Sequence, residues 1–156
     1  MASRTGQAKP RISRILVPTG GSRVDAEAIR LACDLARKHK ARVDAVYVIE
    51  VKRSLALDAD LPGEVQRGED VLARAEQVAE EERSEIETEI LQAREVGPAI
   101  VDEAMQRNAQ LIIMGVEYKR HFGEFTLGRT VQYVLKNAPC QVVVCREPQL
   151  QDLPAD

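Results

Sequence analysis

Residues 111–147 read LIIMGVEYKRHFGEFTLGRTVQYVLKNAPCQVVVCRE. The opening run, Leu111 to Met114, is wholly apolar, the pattern of a strand buried on both faces. Gly115 breaks it, and a long polar loop runs to Phe125. A helix is expected from Thr126 to Asn137, stopped by Pro139. Gln141 to Cys145 is a second apolar, Val-rich strand. Strand, helix, strand in this order closes as a parallel pair with a right-handed crossover.

The same alternation extends toward the N-terminus. Ile12 to Val17 is a β-branched run ending at Pro18, followed by the turn Thr19-Gly20-Gly21-Ser22. Val24, Ala28, Leu31 and Leu35 then recur at helical spacing, and Ser22 with Asp25 has the S-x-x-D spacing of a capping box. Val43 to Ile49 is a strand, residues 50–62 connect, and a long helix runs from Gly63 to Ser84. Ile86, Thr88 and Ile90 alternate with Glu85, Glu87 and Glu89, which places a half-exposed strand at a sheet edge. Gly97-Pro98 opens a further helix, with Ile100, Val101, Ala104 and Met105 expected to face inward. The pattern predicts an α/β fold: a five-stranded parallel, doubly wound, Rossmann-like sheet with helices on both faces. The domain is expected over 12–147, between a disordered segment at 1–11 and a flexible acidic tail at 148–156. Ligands in such sheets meet the carboxyl ends of the strands where the winding reverses. That selects the loops Thr19–Val24 and Gly115–Thr130, whose glycines let backbone N–H groups approach an anion, with a helix N-terminus behind each.

Composition narrows the function. The 156 residues are 44% apolar and 30% charged, with net charge −3, a soluble balance that disfavours bulk electrostatic binding to nucleic acid or anionic lipid. No apolar run approaches the ~20 residues of a membrane span, and MASRTGQAKPRISR has no apolar core of a signal peptide, so a cytoplasmic protein is expected. Cys33, Cys140 and Cys145 form no disulfide framework. Cys140 and Cys145 share one strand, about 16 Å apart when extended, and all three read as small buried hydrophobes. No G-x4-G-K-S/T loop occurs, no G-x-G-x-x-G follows the first strand, and His39 and His121 do not combine with the cysteines at metal-ligand spacing. Residues 64–89 hold ten acidic groups and three Arg, read as a solvated face, with a docking surface for a basic partner as the alternative.

Three segments together resemble the universal stress protein family: ILVPTGGS at 15–22, VDAVYVIE at 43–50, and the segment quoted above at 111–147. The likeness covers about residues 12–147. It implies a five-stranded sheet of the adenine nucleotide alpha hydrolase-like kind, cytoplasmic location, a homodimer, and for some members binding of ATP or AMP without a clear catalytic reaction. Binding members resemble G-x2-G-x9-G-S/T after the fourth strand. Here Gly115 and Gly128 match, Tyr118 takes the middle position, and Arg129 precedes Thr130. Gly20 stands where binding members carry an acid. If the pattern carries over, Pro18, Thr19 and Val48 border adenine and ribose, and Met114, Gly115, Gly128, Arg129 and Thr130 line the phosphate side. The absent acid at Gly20 and the Tyr118 side chain weaken such a site, whereas the Arg129 guanidinium can pair bidentately with phosphate.

Two alternatives stand beside this. Tyr118, Phe122 and Phe125 either pin the loop as local core or lid the pocket, leaving an interaction domain without nucleotide. TGGSRVD at 19–25 faintly resembles the S-G-G-x-D-S loop of ATP pyrophosphatases, with Arg23 in place of its Asp. No catalytic constellation is legible, so the expectation is a non-enzyme, with slow ATP hydrolysis left open. The final strand, an open apolar edge, is expected to join two copies.

Overall fold

The computed structural model describes residues 11–118, 120–121 and 124–149. The expectations for residues 1–10, Phe122 and the tail from 150, and for the side chain of His121, lie outside that description. Five parallel strands form one sheet: β1 (Arg14–Pro18), β2 (Arg42–Glu50), β3 (Glu87–Ala93), β4 (Leu111–Val116) and β7 (Gln141–Arg146), in the order β3-β2-β1-β4-β7. A separate antiparallel ribbon pairs β5 (Arg120–His121) with β6 (Glu124–Phe125). The helices are α1 (Asp25–His39), α2 (Pro62–Glu81), α3 (Val96–Gln106) and α4 (Arg129–Asn137). The expected fold class is the observed one.

Alternation along each strand divides the core. Ile15, Val17, Val43, Ala45, Tyr47, Leu111 and Ile113 pack with the buried faces of α1 and α2. Leu16, Val46, Ile112 and Met114 pack with α3 and α4. The chain winds from β1 outward through β2 to β3, then returns to lay β4 on the other side of β1. The reversal therefore falls between β1 and β4, the place where sheets of this kind meet their ligands. β3 and β7 are the two edges, as their half-exposed patterns required.

Several local expectations are corrected. Met105 is 55% exposed, because Gly97, Ile100, Val101 and Ala104 already complete the one inward stripe of α3. Ser22 and Asp25 form no capping box. Val24 is the N-cap of α1, the Asp25 carboxylate accepts the Gly21 N–H at 2.8 Å, and Ser22 Oγ accepts the Val24 N–H at 3.0 Å. Those bonds brace a turn rather than the helix end. The loop after β4 carries the β5–β6 ribbon, and α4 begins at Arg129, three residues later than expected, with Gly128 as its N-cap.

Candidate functional site

The expected site residues stand around the carboxyl ends of β1, β2 and β4 and the start of α4, a region called the notch. Its β1 side is fixed by Thr19, 3% exposed, whose N–H and hydroxyl both donate to the Val46 carbonyl, at 2.8 and 3.1 Å. That hydroxyl is therefore committed to holding β1 against β2. Pro18 is half-buried beside it. Gly20 is exposed, and a Cβ there would meet nothing within 4 Å. Its lack of a carboxylate is thus not imposed by space. Gly21 does need its freedom, at φ +91°, a turn geometry that side chains resist.

Val48 and Met114 pack in the same cluster as Leu127 and Val131, forming an apolar floor across the sheet to the start of α4. Above it, Gly128 caps α4, and an added Cβ would again find open space. The N–H groups of Arg129, Thr130 and Val131 have no acceptor within the helix, the arrangement that favours an anion. Arg129 is exposed and has no ion-pair partner among the described residues. With Thr130 it borders a cavity of about 170 Å³ whose other walls include Glu50, Glu95, Gly97 and Tyr133.

The structure thus gathers Val48 and Met114 on the floor, and Arg129 and Thr130 at the helix end. Gly115 plays a different part. A Cβ there would lie 2.8 Å from the Val24 carbonyl oxygen and 3.0 Å from its carbon, so this glycine is what lets α1 sit against β4. Tyr118 does not lie free in the loop. Its ring stacks on Phe125 with centroids 5.0 Å apart and planes 3° from parallel, and the Arg146 guanidinium lies 4.8 Å from the Tyr118 centroid. This is the pinning role: the ring is held against the end of β7.

Two charged clusters had no signal in the sequence. At the far end of the sheet, the fully buried Asp44 carboxylate lies 3.1 Å from Arg14 Nε and 3.4 Å from Arg107 Nη1. Arg107 also pairs with Glu103 and Glu89. Neither Asp44 oxygen has a well-aligned hydrogen bond, so the cluster is held by charge proximity. At the notch end, Arg23 pairs with Glu147 and, at 3.4 Å, with Glu117. The Glu147 contact raises the Arg23 pKa further. The three thiols are free; Cys33 is buried as expected, but Cys145 is only half-buried on the edge strand and Cys140, also half-buried, precedes β7 rather than sharing it, and burial pushes the pKa of each up.

The sequence profile of the universal stress protein family matches residues 11–146. The chain belongs to the universal stress protein family. A universal stress protein of Methanocaldococcus jannaschii is 33% identical over 142 residues, covering 87% of this chain and 83% of the relative. The universal stress protein from Archaeoglobus fulgidus in complex with dAMP superposes with TM-score 0.69 at 20% identity, covering 86% of this chain and 98% of that one. A universal stress protein in complex with cAMP gives TM-score 0.65 at 17% identity, covering 87% and 98%. These two likenesses establish the shared fold. Among the described residues, no helix is long and apolar enough to cross a membrane.

Proposed function

We propose that the chain is a stress-response regulatory module that holds an adenine nucleotide, ATP or AMP, in the notch, weakly and without rapid turnover. The observation that carries this is the open N-terminus of α4: three N–H groups without helical acceptors, beneath a bare Gly128, beside an Arg129 that has no carboxylate partner among the described residues. A phosphate suits that set of donors. The cavity there, about 170 Å³, is smaller than a typical ligand pocket of roughly 300–1,000 Å³. It takes the phosphate end, with the base lying outward along Pro18, Val48 and Met114. That dAMP and cAMP are bound by two proteins of this fold supports the same ligand class here.

Titration calorimetry with ATP, ADP and AMP tests the reading. Weak saturable heat is expected, with no more than slow phosphate release, and Arg129→Ala is expected to lower the affinity about tenfold. No heat with any of the three overturns it and leaves the interaction domain without nucleotide as the surviving reading. The same proposal includes a cytoplasmic homodimer. β7 pairs with β4 on one side only, and an open apolar edge pairs readily with a second copy. Light scattering that returns a 17.3 kDa particle at tens of micromolar removes the dimer.

A further inference from the structure

Glu147 stands one residue beyond β7, and its N–H donates to the Val116 carbonyl at 2.9 Å, extending the β4–β7 pairing. Among the described residues, three donors converge on its carboxylate. Arg23 Nε reaches Oε2 at 2.8 Å, Arg23 Nη2 reaches Oε1 at 2.5 Å, and the Tyr118 backbone N–H reaches Oε1 at 2.7 Å. A bidentate guanidinium with a loop N–H beside it is a donor set that recognises a phosphoryl group as readily as a carboxylate. The burial is asymmetric. The Glu147 side chain is 17% exposed while Arg23 is 63% exposed, so the cation faces solvent and the protein's own anion sits beneath it. An open cleft of about 680 Å³ borders the pair, walled also by Val24, Glu27, Leu31 and Arg146.

We infer that Arg23 and the Tyr118 N–H form an anion cradle, distinct from the α4 end of the notch, whose resident carboxylate, Glu147, competes with an incoming phosphoryl group, so that phosphate occupancy frees the Glu147 side chain at the end of β7. The cradle does not depend on the nucleotide reading above: a nucleotide is one source of the phosphate and free pyrophosphate another, and the experiment separates them. The competitor has a local advantage, because it is covalently attached next to its donors and acts at a high effective concentration. An external phosphate therefore binds weakly while Glu147 is in place. Glu117, 3.4 Å from Arg23 Nη1, keeps the guanidinium oriented when Glu147 leaves. In this account residues 147–149 report ligand: held when the cradle is filled from within, freed when it is filled from outside.

The full chain and its Glu147→Gln variant are titrated with inorganic pyrophosphate, ATP and adenosine. Gln keeps an acceptor for the Tyr118 N–H and the fold, but surrenders the charge that holds both arms of Arg23. Expected is a gain of about tenfold or more for pyrophosphate and ATP, abolished by adding Arg23→Gln. Glu147→Asp, which keeps the charge on a shorter arm, is expected to fall between the parent and the Gln variant. In the parent, ATP is expected to speed hydrogen exchange across 146–149 while the Tyr118 amide, now donating to phosphate, stays protected. Equal pyrophosphate and ATP affinity in parent and Glu147→Gln overturns the cradle and makes Glu147 a fixed structural pin. Adenosine, which has no phosphate, reads the notch separately. If neither adenosine nor ATP binds any form, the nucleotide reading falls, and pyrophosphate alone still decides the cradle.

Discussion

Arginine meets carboxylate at both ends of this sheet, and the two meetings are built differently. At the amino ends of β1 and β2, Asp44 is sealed from solvent, and its oxygens have Arg14 and Arg107 as neighbours but no aligned hydrogen bond. At the carboxyl ends of β4 and β7, Glu147 receives three well-placed hydrogen bonds from the described residues, two of them from an arginine that solvent reaches freely. A buried ion has nowhere to go when its partner leaves, so the first cluster is locked to the fold. A pair whose cation is solvated is screened more strongly than a sealed one and can exchange partners. Geometry alone thus separates a charge that holds the domain together from one that can respond to a ligand.

The sharpest break of that contrast is Asp44→Ala, which takes from Arg14 its carboxylate among the described residues and from Arg107 one of three. It is expected to cost about 3 kcal/mol, read as a lower denaturant midpoint. Glu147→Ala, made at the other end, is expected to leave the midpoint close to that of the parent. Equal losses at both ends would erase the distinction.

Gly115 carries the comparison into the site itself. An alanine Cβ would press on the Val24 carbonyl at 2.8 Å, backbone against backbone, so Gly115→Ala is expected to cost about 1–3 kcal/mol of stability. Gly128→Ala meets no neighbour within 4 Å and is expected to lose only the advantage of glycine over alanine at an N-cap, up to about 1 kcal/mol. Paired melting curves check the difference. Both glycines match one motif, yet one serves the packing of α1 and the other keeps a helix end open.

That divergence shows where the sequence was legible and where it was not. The five strands could be read because buried parallel strands are written as unbroken apolar runs, such as Leu111–Met114 and Val43–Ala45. The place of the winding reversal, between β1 and β4, followed from strand order. Met105 misled because a stripe of four residues suffices for an 11-residue helix, and periodicity does not say where a stripe ends. The β5–β6 ribbon was missed because two-residue strands have no period. The Arg23–Glu147 clamp joins residues 124 apart, and the Asp44 cluster joins three elements. Neither leaves a local trace. Motif spacing named Gly115 and Gly128 but could not assign their different duties.

A smaller effect is expected from restoring the acid that the first loop lacks. Gly20 has space for a side chain and no left-handed backbone angle, so Gly20→Asp is expected to fold as the parent does. Its carboxylate can accept hydrogen bonds from ribose hydroxyls, which should tighten ATP and AMP about tenfold while leaving pyrophosphate unchanged. Calorimetry with all three separates a gain at the sugar from a gain at the phosphate. A gain for pyrophosphate would place the new carboxylate's effect on the Arg23 cradle instead.

Asp25 supplies the third kind of carboxylate, one held without arginine, and the smallest effect. It accepts the Gly21 N–H at 2.8 Å and forms no ion pair among the described residues. Burial raises its pKa, opposed by the backbone donors of Gly21, Gly20 and Ser22, with nearby Glu117 adding to the rise. The direction fixes the sign of the pH dependence. Between the ordinary Asp value of about 3.9 and the raised folded value, the native state binds more protons at this position than the unfolded chain. Its contribution to stability therefore falls as pH rises through that window and is constant above it. Asp25→Asn keeps an acceptor for Gly21 but cannot ionise, so that slope disappears. Other carboxylates contribute equally to both proteins, so the difference between the two melting-temperature profiles isolates Asp25. The variant is expected to gain on the parent as pH rises through the window and to hold that gain at neutral pH. Parallel profiles would mean that the backbone donors of Gly21, Gly20 and Ser22 fully offset the burial.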